Sequence, residues 1–344
     1  MKKRIILAAG GTGGHVFPAF ATAEVLREQG HEVYWATDKR GLKYAHHWQG
    51  PKPIVTMAAS PANKVNFAAK MGLGFTQSFA ALTKIRPHAV VGFGGYPSVP
   101  VVLAAQLFKI PTLVHEANAT IGMANRFLGR DAKAIAVSFP DKHPKAILTG
   151  NPVRPPIAAL AEASYIKSDV LSVLVFGGSL GAKIFEEVIP RSFRDLGRKV
   201  RLTQQVVGDE ARAQLAETYK DLGIDATLLP FVEDMPQALK DADLVISRSG
   251  ASTLAELTAA GRPAVFIPYA HHADAQQYAN AKAAVDAGGA VMIDEKDGVD
   301  AAVGKLTVFL AGQPDLPRMA AAMKALGNPK AAWTLAELIV TKAA

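Results

Sequence analysis

Short apolar runs of four to six residues recur along the chain, separated by stretches in which apolar positions return every three or four residues. Runs of that length between turn signals predict buried strands, and the three-and-four spacing predicts helices with one packed face. Ile5 to Ala9, Val33 to Ala36, Ala89 to Gly92, Thr112 to His115 and Ala134 to Val137 are the expected strands of a first sheet. Leu171 to Phe176, Arg201 to Val206, Ala226 to Leu229, Leu244 to Ser247, Ala264 to Ile267 and Ala290 to Ile293 are those of a second. Phe17 to Gln29 and Thr253 to Ala260 carry the helical spacing, as does Ala331 to Thr341. Strand and helix in alternation mean parallel sheets covered on both faces. The stretch Gly150-Asn151-Pro152-Val153-Arg154-Pro155-Pro156 breaks the series, because proline continues neither a helix nor a central strand. The predicted class is therefore α/β, with two Rossmann-like domains whose parallel sheets face a cleft. Their expected limits are 1–152 and 153–330, with 331–344 forming a last helix that packs back on the first domain.

Composition narrows the class. A chain of 344 residues is long enough for two cores, and 49% hydrophobic against 20% charged residues, with no cysteine, excludes disorder, disulfides and thiolate metal sites. The basic start, Met1 to Arg4, is followed by only five apolar residues before Gly10, too few for the core of a signal peptide. No apolar run approaches the roughly 18 residues of a membrane span, so the chain is expected in the cytoplasm or on a membrane surface. Charge is uneven: residues 1–152 hold 18 Lys and Arg against 7 Asp and Glu, whereas residues 153–344 hold 20 against 23. Between Asp38 and Glu116 there are nine cations and no acid. A one-signed stretch predicts an anionic partner: nucleic acid, lipid headgroups or a phosphorylated substrate.

Candidate chemistry lies in the loops that follow strands. Gly10-Gly11-Thr12-Gly13-Gly14-His15, Gly92-Phe93-Gly94-Gly95-Tyr96 and Gly177-Gly178-Ser179-Leu180-Gly181 each leave a strand, where glycines let backbone amides approach an anion. Taken singly, such a turn serves close strand–helix packing as readily as phosphate binding. Neither a dinucleotide fingerprint, since Val16 stands where Gly or Ala is needed, nor a Walker loop around Lys183 is present. Ser247 to Glu256 is more specific: small hydroxyl residues open a helix directly after a strand, a layout suited to phosphate. Glu256 then stands either as acceptor for two ribose hydroxyls or as a charge answering the helix dipole. Asp241-Ala242-Asp243 has the spacing of a metal motif but precedes its strand, at the end away from ligands, and reads as an exposed turn. His46-His47 and His271-His272 lack a helical ligand spacing, so no metal is expected.

Together these motifs resemble the MurG family, GT-B glycosyltransferases that move GlcNAc from UDP-GlcNAc to the lipid-linked muramyl-pentapeptide, lipid I. The resemblance spans nearly the whole chain, through Gly10 to Pro18, Gly94-Gly95-Tyr96, His115-Glu116-x-Asn118, Gly150 to Arg154, Gly177-Gly178-Ser179, Ser249 to Glu256, and Gln276-Gln277 with Asn280. It implies an inverting hexosyltransferase without cofactor that makes lipid II in peptidoglycan synthesis, bound peripherally at the cytoplasmic face of the membrane. Carried over by position, Thr12, Gly13 and Gly14 shape the first loop near the diphosphate and acceptor, and Asn118 meets the donor sugar. Arg154 and Ser179 turn to the diphosphate, the backbone at Val232 to uracil, Ala251, Ser252, Thr253 and Leu254 to phosphate, Glu256 to ribose, and Gln276 or Gln277 to GlcNAc. Arg154 has a second reading as a linker charge. Ala117 and Leu180 stand where the family usually has Gln, and one extra residue between Tyr269 and Tyr278 leaves both Gln276 and Gln277 in contention. His15 is the candidate general base, since the positive end of a helix favours neutral imidazole; a capping or packing role is the alternative.

Gly94, Gly95 and Tyr96 are expected at the acceptor. Between Lys64 and Arg86, apolar Phe67, Phe75 and Phe79 are mixed with Lys64, Lys70, Lys84 and Arg86, which suits a surface that dips into anionic lipid. A core-packed helix with a basic edge is the alternative, and Gly72 and Gly74 argue against one long helix. The expected partners are UDP-GlcNAc, lipid I, an anionic membrane surface and other cell-wall synthesis proteins. No nucleic acid is expected, for want of any reader motif. A UDP-GlcNAc epimerase and a membrane-associated nucleotide-sugar sensor are the rival functions.

Overall fold

A computed structural model describes residues 1–56, 67–178, 181–194, 196–270 and 275–343. The chain divides into two units, Met1–Arg154 with Lys330–Ala344, and Pro155–Pro329.

The first unit is built on seven strands: β1 (Arg4–Ala8), β2 (Glu32–Thr37), β3 (Ile54–Val55), β4 (Ala89–Gly92), β5 (Thr112–Glu116), β6 (Ala134–Val137) and β7 (Ala146–Leu148). All pair in parallel, in the order β3-β2-β1-β4-β5-β6-β7. The helices are α1 (Gly13–Glu28), α2 (Phe67–Ile85), α3 (Val99–Leu107), α4 (Met123–Gly129) and, from the chain end, α13 (Ala331–Lys342). Side chains alternate across the sheet, so one strand feeds two cores. Ile5 and Leu7 face α1 and α13, packing with Val16, Phe20, Leu335 and Ile339. Ile6 and Ala8 face the other way, with Leu82 of α2, Val101 and Val102 of α3, and Leu128 of α4. Lys3 Nζ donates to the Val340 carbonyl at 2.8 Å and Gln29 to Glu337 at 3.0 Å, which fastens α13 beside α1.

The second unit repeats the plan after a short α5 (Pro155–Ala158). Its strands are β8 (Leu171–Phe176), β9 (Val200–Gln205), β10 (Asp225–Leu229), β11 (Leu244–Ser247), β12 (Ala264–Phe266) and β13 (Ala290–Met292), parallel in the order β10-β9-β8-β11-β12-β13. Around them lie α6 (Ile184–Phe193), α7 (Asp209–Asp221), α8 (Met235–Asp241), α9 (Ala251–Ala259), α10 (Gln276–Asp286), α11 (Val299–Ala311) and α12 (Leu316–Leu326). Leu171, Val173 and Val175 pack against Phe185 and Ile189 of α6 and Leu306 and Leu310 of α11.

In each unit the chain first winds outward from the opening strand, then returns to its other side and winds the opposite way. The loops after β1 and β4, and after β8 and β11, therefore leave neighbouring strands in opposite directions and open a crevice at their carboxyl ends. Three expectations need correction. The short strands β3 and β7 extend the first sheet beyond the apolar runs. Gly72 and Gly74 do not interrupt α2, which runs unbroken through both. Asp243 is not in an exposed turn: it is 1% exposed, and its carboxylate accepts the N–H groups of Ser168 and Ser172, both at 2.8 Å. It braces the start of β8.

Candidate functional site

At the β1/β4 crevice the two glycine loops meet around one imidazole. His15 occupies the first turn of α1, with Nδ1 3.4 Å from the hydroxyl of Thr12, the exposed N-cap residue. Gly94 and Gly95 both have positive φ, 87° and 68°, a backbone that side chains rarely adopt. A Cβ on either would stand 3.3 and 3.2 Å from the His15 ring. The loop after β4 is thus a flat wall against the histidine, followed by half-buried Tyr96. Burial lowers the His15 pKa below its usual value, the Arg40 cation adds to this, and Glu116 and the Gly10 carbonyl oppose it. The net shift favours the neutral imidazole, the form a base requires.

Two buried carboxylates hold this crevice in shape. Asp38, just beyond β2, accepts N–H groups from Gly11 at 2.9 Å and Gly41 at 3.0 Å, and pairs with Arg40 at 2.8 Å. Glu116, the last residue of β5, accepts from the backbone and side-chain nitrogens of Asn118 at 3.0 and 3.1 Å, from Gly122 N–H at 2.9 Å, and from Asn125 at 2.9 Å. Asn118 is therefore placed by its neighbour two residues back. His115, 1% exposed, bonds through Nε2 to the Gly150 carbonyl at 3.2 Å and lies 5.4 Å from the Phe93 ring. The guanidinium of Arg154 stands 5.0 Å over the Phe17 ring, one turn of α1 from Gly14, which gives this linker cation a fixed aromatic seat.

In the second unit, Gly250 begins α9 and leaves the first turn, Ala251 to Thr253, without a side-chain cap. Leu254 is buried, and its N–H donates to the Gly250 carbonyl at 2.9 Å. Ser249 is buried and its hydroxyl donates to the Gln277 carbonyl at 2.8 Å; the Asn280 amide donates to the Ser249 carbonyl at 3.3 Å. The side-chain oxygen of Gln277 accepts the Tyr269 N–H at 2.9 Å. The start of α10, with Gln276 and Gln277, is thereby tied to the start of α9. Val232 is buried in the segment after β10.

Of the expected site residues, Thr12, Gly13, Gly14, His15, Gly94, Gly95, Tyr96, Asn118 and Arg154 belong to the first unit, and Val232, Ala251 to Leu254, Glu256, Gln276 and Gln277 to the second. Lys64 and Ser179 lie outside the described residues, as do His271 and His272, and Phe67 is described by backbone only. Lys70 and Phe75 are half-buried on α2. Asp38, Arg40 and Glu295 went unnoticed as site residues. Asp38 and Glu295 share one signal, an acidic residue just beyond a predicted strand. Among the described residues no three His, Asp or Glu side chains converge to hold a metal.

Residues 5–137 match the glycosyltransferase family 28 N-terminal domain and residues 172–335 its C-terminal domain. Fold and loops thus define a two-unit sugar-nucleotide transferase class. The chain is 42% identical, over 98% of its own length and 93% of the relative's, to the UDP-N-acetylglucosamine–N-acetylmuramyl-(pentapeptide) pyrophosphoryl-undecaprenol N-acetylglucosamine transferase of Rhodospirillum centenum. The like-named transferase of Agrobacterium fabrum is 40% identical over 97% of this chain and 93% of its own. The crystal structure of Acinetobacter baumannii MurG matches with a TM-score of 0.79 at 31% identity, covering 98% of this chain and 99% of that one. The chain belongs to the MurG family of glycosyltransferases. A UDP-GlcNAc 2-epimerase from Neisseria meningitidis, at 14% identity and TM-score 0.67, shares the fold alone.

Burial pushes the His115 pKa down to about 4 from its usual 6.5. Between those values the unfolded chain binds a proton that the folded chain refuses, so stability falls as pH drops through this window. The loss by pH 4 is about 3 kcal/mol. All three tryptophans, Trp35, Trp48 and Trp333, lie in the first unit, so their fluorescence during denaturant unfolding reports it. His115→Asn is expected to flatten the pH slope; a slope identical to wild type contradicts the assignment.

Proposed function

We propose that the chain transfers GlcNAc from UDP-GlcNAc to the muramyl C4 hydroxyl of undecaprenyl-pyrophosphoryl-MurNAc-pentapeptide, with inversion, giving lipid II for peptidoglycan synthesis. One observation carries this: a neutral histidine walled into the β1/β4 crevice, in a chain 42% identical to a transferase named for that donor and acceptor.

The chemistry needs a base and a stabilised leaving group. His15 takes the proton of the acceptor hydroxyl as its oxygen attacks the anomeric carbon. The bond from that carbon to the β-phosphate oxygen breaks, and UDP departs with the electron pair. Its growing charge falls to Arg154, Ser179 and the first turn of α9, Ala251 to Thr253, at the positive end of that helix, so no metal is required. Glu256 holds the ribose, the backbone at Val232 the uracil, and Asn118 the sugar. Gln276 or Gln277 meets the GlcNAc hydroxyls; the Gln277 oxygen also accepts the Tyr269 N–H at 2.9 Å. Thr12, Gly13 and Gly14, with Gly94, Gly95 and Tyr96, shape the acceptor side.

No helix among the described residues is long and apolar enough to cross a membrane. The chain instead sits peripherally on the cytoplasmic face through α2. Leu73 and Phe79 are each 47% exposed there, and Phe79 meets Phe108, itself exposed, with ring centroids 4.7 Å apart. The same stretch carries half-buried Lys70 and exposed Lys84 and Arg86, a composition that pairs apolar insertion with anionic headgroups.

His15→Ala is expected to lower turnover about 1,000-fold while UDP-GlcNAc affinity stays within about twofold, measured by transfer kinetics and calorimetry. In the wild type, the acid limb of kcat/KM falls below pH 6.5, because burial lowers the His15 pKa. Undiminished turnover removes His15 from the mechanism. The double variant Leu73→Glu/Phe79→Glu should lose co-sedimentation with phosphatidylglycerol vesicles yet still glycosylate a short-chain, water-soluble acceptor. Vesicle binding equal to wild type rejects α2 as the membrane face.

A further inference from the structure

Beside the proposed donor site a partly buried ion pair joins three loops. Arg248, 9% exposed, follows β11 directly and precedes Ser249. Its guanidinium forks onto Glu295, Nη1 to Oε2 at 2.9 Å and Nη2 to Oε1 at 2.8 Å, while Nη1 also donates to the Ile267 carbonyl at 2.8 Å. Glu295 lies just after β13, and its Oε2 accepts the Ala270 N–H at 2.9 Å in the segment after β12. The guanidinium also stands 5.3 Å over Tyr269 and 5.7 Å over Phe185.

These contacts close a ring. From Glu295 it passes to Ala270, through Tyr269 to Gln277, from Gln277 to Ser249, and through Arg248 back to Glu295. One side of the ring is the N-terminus of α9; the other is the N-terminus of α10, where Gln276 lies. The ring also spends the terminal nitrogens of Arg248 on protein groups. A cation adjacent to a phosphate-binding turn is thus held as a strut and balanced by a carboxylate, instead of drawing on the diphosphate.

We propose that Glu295, acting through Arg248, is a positioning residue that sets the sugar end of the donor site against its phosphate end. This rests on the donor site proposed above. Breaking the pair loosens the α10 side and leaves a cation beside the phosphate turn. Binding of the sugar should suffer, whereas binding of the bare nucleotide should not.

The test uses the whole chain and compares UDP-GlcNAc with UDP. Glu295→Gln is expected to raise KM for UDP-GlcNAc about tenfold, with inhibition by UDP unchanged or stronger. Its effect should not add to that of Gln277→Ala, because both act through the same segment. Arg248→Lys, which keeps the charge and loses the fork, is expected to show the same split and serves if Glu295→Gln does not fold. A purely structural brace would shift UDP and UDP-GlcNAc alike, or lower Tm with kinetics untouched; either result overturns the proposal. If the wild type transfers GlcNAc and both variants match it, this inference alone fails. If the wild type neither transfers GlcNAc nor prefers UDP-GlcNAc to UDP-glucose, the donor-site reading fails with it.

Discussion

An all-parallel sheet joined by right-handed crossovers cannot keep winding one way and still cover both faces. The chain must return once to its first strand and set out in the other direction, and here it does so between β1 and β4 and again between β8 and β11. The glycine loops, His15 and the start of α9 all lie at that reversal. It is where backbone amides at strand ends and the positive ends of helices come together, and so where an anion or a developing charge is best received. Glycine at 94 and 95 brings the backbone to within van der Waals reach of His15, and α9 starts at Gly250, directly after the loop that leaves β11.

Loops at such a crevice have no ladder to fix them, and carboxylates at the strand ends take that part. Asp38, Glu116 and Glu295 each lie at or just beyond the carboxyl end of a strand, and each gathers N–H groups from loop backbone. The arrangement satisfies donors that burial would otherwise leave unpaired, and it fixes the position of the residue that follows, Asn118 most directly. Asp243 uses the same chemistry at the opposite end of its sheet, where it organises the entry to β8. Position relative to the strand, more than residue type, separates a carboxylate that shapes the site from one that holds the fold.

That distinction also explains what could be read from the sequence. Central parallel strands are buried on both faces, so β1, β4, β6, β8 and β11 stand out as unbroken apolar runs. The edge strands β3 and β7 are two and three residues long and only partly buried, and carry no such signal. Gly72 and Gly74 lower local helix propensity, but α2 packs along α3 and the tertiary contact prevails. Asp243 was misjudged because its partners, Ser168 and Ser172, lie about 70 residues away in sequence. The glycine loops, His15 and the Ser249 to Glu256 turn were legible because strand-to-helix glycines are local features. Glu295 and its fork with Arg248 depend on the meeting of three separate strand ends, which no local pattern records.

The central claim is that these two crevices serve transfer of GlcNAc to a lipid-linked muramyl acceptor without a metal. Radiolabelled UDP-GlcNAc, a short-chain lipid I analogue and EDTA, with UDP-glucose as competing donor, address it directly. The account predicts a lipid-linked disaccharide formed at full rate in EDTA and only from UDP-GlcNAc. Bound UDP-GlcNAc with no transfer, or transfer abolished by EDTA, would contradict it.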